Sequence, residues 1–413
     1  MSELTSMTSM TSMTSMTSMT SMTGRGSAVA LAGLSGLNEH PLVVEALINS
    51  RARNTADSIA CPTAWVRKGG YDAGQLPGFN NPDCLKWWQA DVRGHICSQE
   101  LQVDLAISCD DPGPTAPTST ATVRLERVTR RSVSMAGQGL TPAQLATLGV
   151  AANQTLVVEQ RLPVVSIERP GRAMFDRQVE MVIAHANADT RKNRAAEILA
   201  QIVPQVPFWA AVVPLSPWRT PHTYEFIGIA LKFGMEITHR FKHALAIPRP
   251  NELSPLVQPL IQTPGWSALP SGHATEAFMF AKLMLRLLDQ PELDTAFKPT
   301  QLWRTLQMQA ASIANNRVYA GLHYPVDGVV GRLLGDTLAE YVCALCETKP
   351  WRSRSFHAAP APSDVDLDIA VPLDGADSGH YYQSVPQEAF AAPNPNLAQM
   401  WTSASEELRA LGF

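Results

Sequence analysis

The sequence predicts an all-α fold, a helical bundle core preceded by a smaller mixed and irregular N-terminal region. Two observations carry that reading. Six stretches, 172–187, 190–202, 223–245, 274–288, 300–315 and 326–346, repeat apolar residues at three- and four-residue steps, the period of one helix face. Earlier in the chain, apolar and polar residues alternate as in strands only in short runs, at 101–108, at 121–128 and over about 154–169.

In chain order the elements fall into four parts. Residues 1–24 hold six consecutive Thr-Ser-Met triplets. A three-residue period of small polar residues and Met builds neither a helix face nor a strand face, so this part is expected to be disordered. Residues 25–170 form the mixed region, with Gly-, Pro- and Asn-rich loops such as KGGYDAGQLPGFNNPDC and the linker DDPGPTAPTST between its strands. Residues 171–348 carry the helices, joined by loops such as IPRPNELSP and QTPGWSALPSG. Residues 349–413 read as a Pro- and Ala-rich tail with one short helix near 403–411.

Composition narrows the partners. A net charge of −4 gives no basic field for nucleic acid and no polybasic membrane anchor. Any anion must therefore be captured by a local pocket. No uninterrupted run of about 20 apolar residues is present, and the N-terminus lacks the basic start of a signal peptide. The expectation is a cytoplasmic protein without a membrane span, acting on a small molecule, with a homo-oligomer left open. The six cysteines, Cys61, Cys84, Cys97, Cys109, Cys343 and Cys346, are too few for a disulfide scaffold. Cys84 and Cys97 either pair or are buried. The C-x-x-C of Cys343 and Cys346 has helical spacing and no second ligand pair, which favours packing over zinc or redox use.

Three segments between residues 242 and 327 concentrate the chemistry, all at helix ends. In KHALAIPRP, Lys242 supplies a compact ammonium and Arg249 a planar fork suited to a tetrahedral oxyanion. In PSGH, Gly272 lets the backbone approach a ligand, Ser271 caps the helix and offers a hydroxyl, and the free N–H groups of the first turn point at an anion. His273 follows as a candidate proton donor. In RVYAGLHYPVD, Arg317 adds a third cation. Asp327, four residues after His323, can hold one imidazole nitrogen and leave the other as nucleophile or metal ligand. Each segment alone also fits an ordinary helix end. Together they describe a pocket at the helix ends for a multiply charged tetrahedral or trigonal-bipyramidal oxyanion.

Written as K-x6-RP, PSGH and SR-x5-H-x3-D, with Asn316 in place of the usual Ser, these segments resemble the signature motifs of the type 2 phosphatidic acid phosphatase and vanadium haloperoxidase superfamily. The resemblance covers roughly residues 170–347. It implies that Lys242, Arg249, Ser271, Gly272 and Arg317 hold the equatorial oxygens of phosphate or vanadate. His273 becomes the acid/base on one apical side, His323 the opposite apical group, and Asp327 the partner of His323. In the phosphatases His323 would attack phosphorus and His273 would protonate the leaving alcohol. In the haloperoxidases vanadate is the cofactor, His323 its vanadium ligand, and halide and hydrogen peroxide are the substrates.

A large region ahead of the helices and the run PSGHAT favour the haloperoxidase branch; close motif spacing and HYPVD favour a soluble acid phosphatase acting on phosphate monoesters. The primary expectation is the haloperoxidase. A non-catalytic phosphate-binding module is the remaining reading, and the two histidines argue against it. Trp266 lies five residues before Ser271 and reads as a core aromatic, with halide access as the sharper use. His239 and His243, four apart on the helix of Lys242, have metal-pair spacing without a third ligand and read as surface or supporting residues.

Overall fold

The computed structural model describes residues 81–110, 121–134, 155–202, 205–288, 300–371 and 381–412, with the single positions 141, 147 and 373. The Thr-Ser-Met repeat and Cys61 lie outside them. Helices form where the apolar spacing places them: α2 (Arg172–Asn187), α3 (Asp189–Ala200), α5 (Pro221–Leu245), α7 (Gly272–Leu287), α8 (Gln301–Tyr319) and α9 (Pro325–Glu347). The described residues add α1 (Ala90–Glu100) and the short α4 (Val206–Ala210) and α6 (Pro250–Leu253), and the short helix expected near 403–411 starts earlier, as α10 (Pro395–Ala410). Proline at the first position starts α5, α6, α9 and α10, where its missing N–H costs nothing. Ser271 and Thr300 cap α7 and α8 by accepting from Ala274 N and Trp303 N. From Pro325 to Cys346 every residue of α9 is buried, which makes it the central helix.

The fold is nevertheless not all-α. A five-stranded mixed sheet runs in the order β1 (Leu105–Asp110), β2 (Thr122–Ser134), β3 (Thr155–Glu168), β4 (Trp351–Phe356) and β5 (Tyr382–Gln387), so the chain is α/β. β3 pairs with β4 in parallel and the other neighbours are antiparallel. The stretch read as a tail therefore supplies two strands and a helix. The helical core is the connection between two adjacent parallel strands. The physical reason lies in β3, whose Val164, Val165 and Ile167 are fully buried. A strand buried this deeply needs a partner on its second edge, and β4 supplies it. Pro163, which has no N–H to donate, sits where the β2–β3 register shifts. The sheet packs on α9 through β3 and β4.

Charge locks β4 to this helix. Arg354 of β4, 2% exposed, donates to Glu340 of α9 at 2.7 Å, and Lys282 of α7 reaches the same carboxylate at 2.9 Å. Burial would raise Glu340, but Arg354 and Lys282 outweigh it and hold the carboxyl down at about 2. Glu340→Gln removes the carboxylate shared by the buried Arg354 and the half-buried Lys282 and is expected to cost about 3 kcal/mol, measured by denaturant unfolding. An unchanged unfolding midpoint would show that the pair contributes nothing net.

Cys97 is a free buried thiol with its Sγ 3.3 Å from Met400 Sδ, so it is not paired with Cys84. Cys343 and Cys346 are also buried and form no disulfide. Among the described residues no three His, Cys, Asp or Glu side chains group as metal ligands, and no helix is long and apolar enough to cross a membrane.

Candidate active site

The helix ends carrying the three segments converge. α5 stops because Ala246 turns left-handed, at φ 50°, with its N–H on Lys242 O. The chain then doubles back, and residues 247 and 266–268 join: Ile247 N donates to Ser267 Oγ, and Ala268 N to Ile247 O. Gly321, at φ 79°, makes the turn from α8 toward His323; a Cβ there would meet Val257 at 3.0 Å. Ser271 N donates to Asp327 O at 2.9 Å, which ties the start of α7 to the start of α9.

Three buried cations face this junction, each held by neutral acceptors. Lys242, 3% exposed, donates to Ser267 O at 3.0 Å and Ala268 O at 2.7 Å. Arg249, 1% exposed, donates to Trp266 O, to Leu322 O and to His323 Nε2 at 3.1 Å. Arg317, 1% exposed, reaches Ile198 O and Gln201 Oε1 through Nη2, while its Nε and Nη1 have no partner among the described residues. None of the three forms an ion pair with a carboxylate among the described residues. Burial, then the charge of Arg249, holds Lys242 well below its usual range, and burial draws Arg249 and Arg317 down to about 10. Glu276, one turn into α7, does not neutralise them: burial raises it to about 8 against the pull of Lys242.

The histidine tautomers follow from their partners. An arginine has no acceptor, so His323 Nε2 must present its lone pair to Arg249, and Nδ1–H donates to Asp327 Oδ2 at 2.8 Å. Asp327 is fully buried, takes Tyr324 N on the same oxygen and leaves Oδ1 without a partner among the described residues. Burial pushes its carboxyl up, partly offset by Lys242. His273 Nε2 donates to Gln201 O at 3.0 Å, which leaves Nδ1 as its free nitrogen. Burial, reinforced by Arg317, lowers His273 to about 3; burial, then Arg249 and Lys242, holds His323 well below its usual value.

The signs of these shifts give a pH prediction. A histidine whose folded pKa lies below its unfolded value of about 6.5 takes protons less readily when folded. Both rings therefore favour the folded state above pH 6.5 and oppose it progressively as pH falls toward the folded values. The raised carboxyls Glu276 and Asp327 act in the opposite sense, losing stability as pH rises above the carboxylate range. Imidazole NMR separates the two contributions: neither ring should protonate between pH 7 and 5 in anion-free protein, and phosphate should shift both titrations upward. A ring that titrates near 6.5 without anion contradicts the arrangement.

The structure thus brings Lys242, Arg249, Ser271, Gly272, His273, Arg317, His323 and Asp327 to one place. Gly272 and His273 are partly exposed, while the three cations and His323 are buried, so the cradle opens on the His273 side. A Cβ on Gly272 would meet nothing within 4 Å, so that space is free for a ligand. Ser271 Oγ only accepts from Ala274 N, which leaves its hydroxyl hydrogen to donate. Asn316 keeps a place here, donating to Gln201 Oε1 and accepting from Arg194. His239 is half-buried beside the cradle, with Nδ1 on Met235 O and its ring edge-on to the half-buried Trp266 at 5.5 Å, and His243 is exposed. Sequence reasoning missed Gln201, which touches Arg317, Asn316 and His273 together. Its signal was a polar ladder, Arg194, Glu197 and Gln201, on a helix face turned toward the core.

Residues 226–351 match the family model of the PAP2 superfamily, a span that contains the eight residues of the cradle. No curated protein matches the chain.

Proposed function

We propose that this chain, whose residues 226–351 match the PAP2 superfamily of proteins that are generally phosphatases or haloperoxidases, is an enzyme of the haloperoxidase type, oxidising halide with hydrogen peroxide on vanadate held in the cradle. The observation that carries the reading is uncompensated charge. Lys242, Arg249 and Arg317 are buried on neutral acceptors, and two nitrogens of Arg317, Nε and Nη1, have no partner among the described residues. Buried charges persist only when paired, and a tetrahedral oxyanion supplies both the counter-charge and the missing acceptors. Such dense positive charge suits an anion retained from one turnover to the next. Vanadate, when bound, supplies the activation of peroxide.

The chain's own residues bind and orient. The three cations, the Ser271 hydroxyl and the Gly272 amide would hold the oxygens of the anion. His323 Nε2 offers its lone pair on the closed side, fixed in tautomer by Asp327. His273 Nδ1 accepts or returns a proton at the open side, and the bound anion raises its basicity.

A second reading rests on the 2.8 Å contact between Asp327 and His323. That contact suits a nucleophilic imidazole. As an acid phosphatase, His323 Nε2 would bond to phosphorus while the bond to the leaving alcohol breaks, with His273 protonating that oxygen. Asp327 would stabilise the charged ring until water releases phosphate.

Purified protein assayed with and without orthovanadate separates the two readings. Peroxide-dependent bromination of monochlorodimedone only with vanadate supports the first. Hydrolysis of p-nitrophenyl phosphate that vanadate inhibits supports the second. Absence of both activities, with phosphate still bound, would leave a binding module. Under either chemistry Arg317→Ala should weaken orthovanadate or phosphate binding by about 3 kcal/mol, roughly 150-fold in Kd. Calorimetric titration checks this, and an unchanged Kd removes Arg317 from the cradle.

A further inference from the structure

We propose that Gln201 is a positioning residue of the cradle: its two carbonyl oxygens hold Arg317 and His273 in one frame, and its neutral amide reserves the charge of Arg317 for the ligand. The inference rests on the reading of the cradle as an oxyanion site.

Gln201 follows α3 and is fully buried. Its Oε1 accepts from Arg317 Nη2 and from Asn316 Nδ2, both at 3.0 Å, and its main-chain oxygen accepts from His273 Nε2 at 3.0 Å. Its Nε2 donates to Glu197 Oε1 at 2.8 Å, where Ser312 Oγ also donates at 3.1 Å. The orientation of both amides is forced from their ends. Arg317 can only donate, so Gln201 turns its oxygen there; Arg194 can only donate, so Asn316 turns its oxygen to Arg194 and its NH2 to Gln201.

The order Glu197, Gln201, Arg317 matters. A carboxylate stands one amide away from the guanidinium, and the amide keeps the two from forming a direct pair. Glu197 still supports the charge on Arg317 from beyond the amide. A carboxylate in place of Gln201 would bind Arg317 directly and cancel part of the attraction for an anion. Meanwhile the main-chain oxygen of the same residue fixes the His273 tautomer, so that one residue sets the relative placement of a cation and the proton-carrying ring.

Gln201→Glu tests this with a pH signature. At pH 8 the introduced carboxylate faces Arg317 on one side and Glu197 on the other. At pH 5 a proton shared with Glu197 restores the pattern of the amide, with a donor toward Glu197 and an acceptor toward Arg317. With full-length protein and inorganic phosphate as the probe in calorimetry, the variant-to-wild-type ratio of Kd should be at least tenfold at pH 8 and should fall toward one at pH 5. The ratio removes the titration of phosphate itself. A ratio within twofold at pH 8, or one that is large but flat with pH, overturns the charge-sparing role.

If Gln201→Glu does not fold, Gln201→Met decides. That variant keeps length and neutrality but offers no acceptor to Arg317, and phosphate binding should weaken at least fivefold. Binding within twofold of wild type overturns the proposal. Wild-type protein that binds neither phosphate nor orthovanadate overturns the oxyanion reading and this inference with it. Wild-type binding with insensitive variants overturns this inference alone.

Discussion

His323→Ala should abolish turnover, by roughly 10³-fold or more, whichever oxyanion chemistry the cradle performs. His323 Nε2 presents its lone pair beside Arg249 at 3.1 Å in the lining of the cradle, and Asp327 fixes that tautomer. His273 lies on the open side with Nε2 committed to Gln201 O. The nearest buried carboxylate, Asp327, is engaged by His323 Nδ1 and Tyr324 N. Removing the ring leaves Lys242, Arg249 and Arg317 in place, so phosphate affinity should fall far less than kcat. A steady-state assay beside a calorimetric titration reads both. Full activity in the variant would remove His323 from either mechanism, and equal loss of binding and turnover would make it a structural ring.

The legible parts of the molecule are those where the sequence must show a period or a residue type. The longest helices were readable because α5, α7 and α9 bury many apolar residues in the core. The residues of the cradle were readable because cations, a helix start with glycine and an imidazole–carboxylate pair have few substitutes.

The sheet was underestimated for a physical reason. β4 buries Ser353 and Arg354 along with Trp351 and Phe356, since Arg354 bonds Glu340, so its pattern lacks apolar alternation. β5, at the sheet edge, contains Pro386. α1 was missed because it approaches α5 through Gly94, whose added Cβ would lie 3.6 Å from Ile229, and buries Cys97 and Ser98 beside it rather than an apolar stripe. Gln201 was illegible as a motif because part of its use is the absence of charge.

Glycine spacing on α9 was also unread, and it leads to an effect on stability that also reaches turnover. Gly331 and Gly335 lie one turn apart against α7. A Cβ on Gly331 would sit 2.7 Å from Ala274 Cβ and 2.8 Å from Ser271 O. One on Gly335 would overlap the Thr275 carbonyl oxygen and lie 3.0 Å from Met279 N. Ala in place of Gly gains about 1 kcal/mol of helix propensity. Overpacking against backbone costs up to about 3 kcal/mol and has no flexible side chain to absorb it. Each of Gly331→Ala and Gly335→Ala should therefore destabilise the fold by about 2 kcal/mol, read by denaturant unfolding.

The two should differ in activity. Gly331 presses on Ser271, whose N–H holds Asp327 O, so displacement there separates the start of α7 from the His323–Asp327 pair. Its kcat should drop at least tenfold, while Gly335→Ala, deeper along both helices, should retain most of its turnover when folded. Gly328→Ala is the control: its Cβ would meet Leu367 at 3.9 Å, an ordinary contact, and it should be neutral or slightly stabilising. If Gly331→Ala is as stable and active as Gly328→Ala, α7 and α9 are not held together by close backbone approach, and the placement of Ser271 against Asp327 needs another cause.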